Sequence, residues 1–391
     1  MRILYFSRNY TSHDYRFLSA LANTEHEVYY LRLERGEYPL ENRSLPQEVK
    51  CIYWNYGSAH AKFVDGPRIL KEFKAVIRRI RPDLIQAGPL QRSAFLVALS
   101  GFHPLVSMSW GYDLLLDANR NALWRWATRY TLKHSEAMVG DCDTIRQLAI
   151  SHGMPSDRIV TFPWGIDIEH FLPRAQTIQP SEENSHPLYM QAQDYKFTIL
   201  STRSWEPIYG VEIIANAFIQ AARQHPELHL IMLGDGSQAS SIQNILSQDC
   251  NSPSTMQGLK LQGLDNKTYF PGQVKYYELP QVYHSADLYI SAAHSDGTSI
   301  SLLEAMACGL PVLVSDIPGN REWVTPGENG WLFPDGDSNA LSHAILHAIE
   351  QRHQLPEMGR RGRQLVEKRA NWKINFLKLL QAYEIALKNS V

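Results

Sequence analysis

Short apolar runs alternate along the chain with stretches in which apolar residues recur every three or four positions. The first pattern reads as buried strands and the second as amphipathic helices; their alternation predicts parallel α/β sheets. In the first half, strands are expected at 2–7, 27–32, 82–87, 105–109, 137–140 and 158–163, with helices at 13–22, 69–80 and 122–134. Residues 173–195 break the rhythm: they are polar, lack a period and carry Pro173, Pro180 and Pro187, which reads as a surface linker. Alternation then resumes with strands at 196–201, 228–234, 268–270, 288–291 and 312–314. The accompanying helices fall at 211–225, 238–246, 278–285, 301–308, 337–350 and 355–368. A last amphipathic helix is expected at 372–387, with Trp372, Phe376, Leu379, Leu380 and Tyr383 on its apolar side.

Composition narrows the class. A chain of 391 residues is long enough for two domains, each with its own core. Hydrophobic residues make up 44%, and the mean hydropathy of −0.30 describes a globular chain with no apolar run long enough to span a bilayer. Residues 1–6 read as a first strand rather than a signal peptide. Cys51, Cys142, Cys250 and Cys308 are scattered without CxxC spacing, as in a reducing cytoplasm. A net charge of −2 gives no pull toward nucleic acid. Lys71, Lys74, Arg78, Arg79 and Arg81 line one local face. A solvated helix face is its main reading, with attachment to the acidic inner face of a membrane as the minority one.

The chemistry concentrates in 291–323, SAAHSDGTSISLLEAMACGLPVLVSDIPGNREW. Asp296 and Glu304 stand eight apart, and Gly297, Thr298 and Ser299 follow the first acid. Residues 301–308 read as a short helix stopped by Gly309. The start of that helix offers free backbone N–H groups and the positive end of a dipole, which favour an anion. Glu304, about two turns in, reaches a neutral polar part of the same ligand. A phosphate attached to a hydroxyl-rich ring fits both demands.

This stretch resembles the carboxylate signature of the family-4 glycosyltransferases, in which two acids spaced eight apart precede a Gly and a Pro-Val strand. Residues 200–218, LSTRSWEPIYGVEIIANAF, resemble the family's donor loop, where an Arg and, six residues on, a Lys grip the diphosphate of a nucleotide-sugar. Arg203 fills the first position; Tyr209 stands at the second and Asp296 replaces the usual Glu, two departures from the pattern. Arg8, Arg16 and Arg321 are candidates to supply the missing charge. The resemblance further implies that Glu304 binds the donor ribose and that Asp296 faces the sugar. Gly297, Thr298, Ser299 and Ile300 line the β-phosphate, Gly234 borders the nucleotide pocket, and Gly272, Gln273 and Val274 run along the base. Tyr283 and Asp287 are expected to pack and cap. In the first half, Trp110 stands where relatives have a His, which leaves it to stack on a sugar face, and Asp167 ends the domain in a structural turn.

The implied fold is α/β of the GT-B type: two Rossmann-like doubly wound domains facing a central crevice, with a last helix crossing back to the first. The expected boundaries are 1–172 for an acceptor domain, 173–195 for the linker, 196–370 for a nucleotide-sugar domain and 371–391 for the crossing helix. The implied activity is retaining transfer from a UDP- or GDP-linked sugar to a glycan or lipid-linked hydroxyl in polysaccharide or glycolipid synthesis, in the cytoplasm. No metal or other cofactor is expected, and no sequence cluster has metal-ligand spacing. Tyr209, Asp296 and Trp110 keep an alternative open: a catalytically inactive GT-B subunit that binds nucleotide or glycan and supports a partner. A nucleotide-sugar epimerase on the same fold is the third reading, for which no set of proton-abstracting residues is identified.

Overall fold

A computed structural model describes residues 1–34, 41, 43–56, 65–176, 197–247 and 267–390. It divides into two compact units, one of Met1–Trp164 with Lys373–Val391 and one of Gly165–Trp372. Most of the expected linker, 177–195, lies outside the described residues. Residues 165–172, expected in the first domain, belong to the second unit. The reason is local: Ile166 pairs with Asn371, and Phe171 is fully buried in the second unit's core.

The first unit is built on a seven-stranded parallel sheet. Its strands are β1 (Arg2–Ser7), β2 (Glu27–Arg32), β3 (Lys50–Ile52), β4 (Leu84–Gly88), β5 (Leu105–Met108), β6 (Ala137–Gly140) and β7 (Ile159–Thr161), in the order β3-β2-β1-β4-β5-β6-β7. The buried residues Leu4, Phe6, Leu31, Ile85 and Leu105 meet Ile69, Phe73, Val76 and Ile80 of the helix Gly66–Ile80. The final helix, Trp372–Asn389, belongs to this unit from Lys373 onward. It buries Leu379, Ala382, Tyr383 and Ala386, and Asn375 donates to the Pro163 carbonyl at 3.0 Å. The Tyr383 hydroxyl donates to the Gln86 side-chain carbonyl on β4.

The second unit holds β8 (Phe197–Ser201), β9 (Leu228–Leu233), β10 (Thr268–Gly272), β11 (Leu288–Ser291), β12 (Val312–Ser315) and β13 (Gly330–Phe333), in the order β10-β9-β8-β11-β12-β13. Its pairings are all parallel. Period-two alternation explains its two cores. Ile199, Leu230, Met232, Ile290 and Leu313 point to one face, toward the helices Val211–Gln224 and Ser338–Glu350. Leu200, Ile231, Tyr289, Val312 and Val314 point to the other, toward the helices Ile300–Ala307 and Leu355–Arg369. With both faces covered, these strands carry no Asp, Glu, Lys or Arg. Strand order reverses between β8 and β11, which opens a crevice beyond their carboxyl ends where ligands of doubly wound sheets bind.

Candidate active site

Arg203 and Asp296 follow β8 and β11, the two strands at that switch point. The Arg203 guanidinium is almost buried and its contacts converge. Nη2 donates to Asp296 Oδ2 at 2.8 Å, and Nη1 donates to Ser299 Oγ at 2.6 Å and Ser301 Oγ at 3.2 Å. Cζ sits 4.0 Å from the Tyr209 ring centroid. Nε is buried and has no hydrogen-bond partner among the described residues. Burial pulls the Arg203 pKa down, but Asp296 together with Tyr289 and Tyr209 outweighs it, so the pKa is raised and the charge is secure.

Ser299 is the N-cap of the helix Ile300–Ala307, yet its side chain makes no cap bond; the hydroxyl serves Arg203 instead. The Ser299 side chain therefore gives the first-turn N–H groups no cap. Ser301 is fixed from the sheet by Tyr289, whose hydroxyl is 2.8 Å from its Oγ. Thr298 and Ser299 are both buried, so this turn is part of the core rather than a loose loop.

Glu304 is buried on the same helix. Its Oε2 accepts from the Tyr283 hydroxyl at 2.9 Å, and that hydroxyl also lies 3.2 Å from Thr202 Oγ1. Burial first and Glu304 second push the Tyr283 pKa well up, so it remains a donor. Tyr283, expected only to pack, thus holds the second acid of the signature. The signal for this was thin: a Tyr on a neighbouring helix has no fixed spacing to Glu304. Asp287, expected to cap, instead accepts from the Thr198 N–H on β8 at 2.7 Å, a tie between neighbouring strands.

Two glycines set the loops. Gly210 adopts φ +57°, and a Cβ there would lie 2.2 Å from the Ala292 carbonyl oxygen. A Cβ at Gly319 would lie 2.3 Å from the carbonyl oxygen of Gly297 and 2.5 Å from that of Asp296. The donor loop and the acid loop can close on the sheet end only with these residues in place.

Two family models cover this architecture. Glycosyl transferases group 1 matches residues 190–365, and Glycosyltransferase Family 4 matches residues 12–170. The chain belongs to the family-4, group 1 glycosyltransferases.

This family-4 glycosyltransferase is 22% identical over 307 residues to the GDP-mannose-dependent monoacylated alpha-(1-6)-phosphatidylinositol monomannoside mannosyltransferase of Corynebacterium glutamicum, covering 74% of this chain and 72% of that one. It is 26% identical over 241 residues to the GDP-mannose-dependent alpha-mannosyltransferase of Mycolicibacterium smegmatis, covering 61% and 55% of the two chains. Its fold is shared with Anabaena HepE solved in complex with UDP-glucose, with a TM-score of 0.75 at 17% identity and 98% and 99% of the chains covered. The GT-B expectation is thereby met.

Other expected positions of the glycosyltransferase lie around the same sheet end. Gly234 follows β9, its N–H donates to the Gly272 carbonyl at 3.0 Å, and a Cβ on it would touch the Arg203 carbonyl oxygen at 3.0 Å. Gln273 and Val274 continue from β10, and Val274 and Ile300 pack on the core. Arg321 pairs with Asp316 at 2.5 Å. Among the described residues, no group of three or more His, Cys, Asp or Glu is arranged to hold a metal ion.

In the first unit, Arg8 pairs with the buried Glu34. The N-cap of the helix Ser12–Ala22 is Thr11, completed by Asp14 in a capping box. Trp110, expected as a stacking platform, packs against His13, Phe17 and Trp164 at 5.5, 6.3 and 6.1 Å. Asp113 is fully buried and accepts from the Leu90 N–H at 3.0 Å and Ser109 Oγ at 2.5 Å. It ties two loops of the sheet end together, while burial pushes its pKa up to about 6. Asp167, now in the second unit, accepts from the Glu169 and His170 N–H groups at 3.0 and 3.1 Å, a turn-forming role.

Proposed function

We propose that the enzyme moves a sugar from a UDP- or GDP-linked donor to a hydroxyl of a glycan or lipid-linked acceptor, with retention at the anomeric carbon. Arg203 and the N–H groups at Thr298–Ile300 hold the donor diphosphate. Glu304 binds the ribose hydroxyls, Asp296 faces the sugar, and Gly272–Val274 run along the base with Gly234 at the pocket border. Work at the inner, cytoplasmic face of a membrane goes with a lipid-linked acceptor.

One observation carries this reading: a buried guanidinium, its Nε without a partner among the described residues, stands beside a helix start that the Ser299 side chain does not cap, at the switch point of the sheet. Such an arrangement suits the charge that grows on a departing diphosphate. In the reaction the acceptor oxygen bonds to the anomeric carbon as the carbon–diphosphate bond breaks on the same face. The acceptor proton passes to the departing diphosphate oxygen. The side chains named here orient the donor and stabilise charge, and none needs to become covalently attached.

Acceptor-dependent release of nucleoside diphosphate from a panel of UDP- and GDP-sugars tests the proposal. Arg203→Ala and Glu304→Ala should each abolish release. If both variants transferred at the wild-type rate, the site assignment would be wrong. Conversion of the donor without acceptor and without diphosphate release would turn the account toward epimerisation, and no turnover of any donor would turn it toward a retired subunit.

A further inference from the structure

The helix Ala122–Lys133 carries an unusual outer face. Ala127, Thr128, Thr131 and Leu132 are its buried side. On the other side Leu123 and Trp126 are each 50% exposed, among exposed Arg125, Arg129 and Lys133. Helical spacing sets Trp126 one turn from both Leu123 and Arg129 and two turns from Lys133, along one stripe of the helix. Leu116, 46% exposed, and the exposed Arg120 precede the helix in the chain.

The aromatic part of this face is held in place. Trp126 packs edge-on to Phe95 at 5.5 Å and lies 5.5 Å from Tyr130, which stacks on His134 at 4.1 Å. Arg92 and Arg120 each lie 5.2 Å from the Trp124 ring. Acids are scarce: between 112 and 135 the chain has only Asp113, which is buried, and Asp117.

Exposed apolar side chains ringed by cations match the boundary layer of an anionic bilayer. There, Trp and Leu enter the headgroup region while Arg and Lys meet lipid phosphates. The helix Gly66–Ile80 makes the contrast clear. Its exposed face has Arg68, Lys71, Lys74, Arg78 and Arg79, but no large apolar residue on it is exposed. That face attracts without inserting.

We propose that the face of Leu123, Arg125, Trp126, Arg129 and Lys133 docks this glycosyltransferase onto a bilayer carrying anionic phospholipid. The purpose of the docking rests on the lipid-linked acceptor above, whereas the docking itself is measurable without transfer.

Cosedimentation of the full chain with vesicles of phosphatidylcholine, alone or mixed with phosphatidylglycerol, tests it. Wild type should bind only the mixed vesicles, and less so in high salt. Leu123→Ser with Trp126→Ser, and Arg125→Gln with Arg129→Gln, should each weaken binding by about tenfold or more. Lys74→Gln with Arg78→Gln should bind nearly as wild type. Brominated anionic lipid should quench wild-type tryptophan emission, and the conservative Trp126→Phe should remove most of that quenching. All variants should process a water-soluble acceptor at the wild-type rate, which separates failed docking from a failed transferase reading. The proposal is overturned if wild type ignores anionic vesicles or if the helix variants bind unchanged. It is equally overturned if only the Lys74/Arg78 variant loses binding, or if Trp126→Ser abolishes a wild-type dimer instead.

Discussion

The Tyr209 ring lies 4.0 Å from Cζ of Arg203, at the position where the family pattern has its second cation. The ring stabilises the guanidinium but adds no charge for a diphosphate. Tyr209→Lys should therefore lower stability without ligand by roughly 1 kcal/mol, the value of a cation–π contact exchanged for a like charge. The same variant should gain a larger thermal shift from inorganic pyrophosphate than wild type. Paired melting curves with and without pyrophosphate check both directions.

Asp296 competes with any anion for Arg203, since it already holds Nη2 at 2.8 Å. Asp296→Asn should destabilise the unliganded protein by about 2 kcal/mol, because a mostly buried guanidinium loses its charged partner. Pyrophosphate should then restore more stability than it gives wild type, having taken the place of the carboxylate. Denaturant titration with and without pyrophosphate tests this reversal.

Tyr283 holds Glu304 by a hydrogen bond, and the proposed donor contact of Glu304 makes it a positioning residue. Tyr283→Phe keeps the buried ring and removes the hydrogen bond, a cost of about 1–3 kcal/mol. If Glu304 binds the ground-state donor, the donor KM should rise roughly tenfold while kcat changes little. A fall in kcat at unchanged KM would assign the hydroxyl a different role.

The legible part of the fold was the part carried by period. Val312-Leu313-Val314 and the run before Gly234 announced buried strands, and the helix expected at 337–350 is found at Ser338–Glu350 with Asp337 as its cap. The helix Ser93–Ser100 went unassigned because SAFLVALS is almost uniformly apolar and has no polar face to set a phase. Strand β3 has three residues, too few for alternation to show. At the site, Arg203, Asp296 and Glu304 were marked by motif. Their partners Ser301, Tyr283 and Tyr289 were not, since side-chain contacts across a sheet depend on register that no local spacing encodes.

His13 gives the first unit an acid-side weakness. Burial, aided by Arg16, pushes its pKa down to about 3, so the folded protein keeps it neutral. Below the ordinary value near 6.5 the unfolded chain takes up a proton that the folded one refuses, and stability falls with pH down to the folded pKa. The loss is at most roughly 1.4 kcal/mol per pH unit. His13→Gln should therefore lose less stability than wild type on acidification from pH 7 to 4, as read by thermal melts across that range. Asp113 works in the opposite sense. Its folded pKa of about 6 exceeds the unfolded value, so its contribution is present below the unfolded pKa and is lost as pH rises through 6. Asp113→Asn should reduce that part of the profile.

The central claim is that Arg203 and the helix start at Ser299 form the diphosphate seat of the donor. Calorimetric titration of wild type and Arg203→Ala with UDP and GDP tests it most directly. The account predicts that wild type binds one of the two, and that Arg203→Ala, still folded by circular dichroism, binds it at least about tenfold more weakly. Equal affinity in the two proteins, or no binding of either nucleotide by wild type, would contradict it.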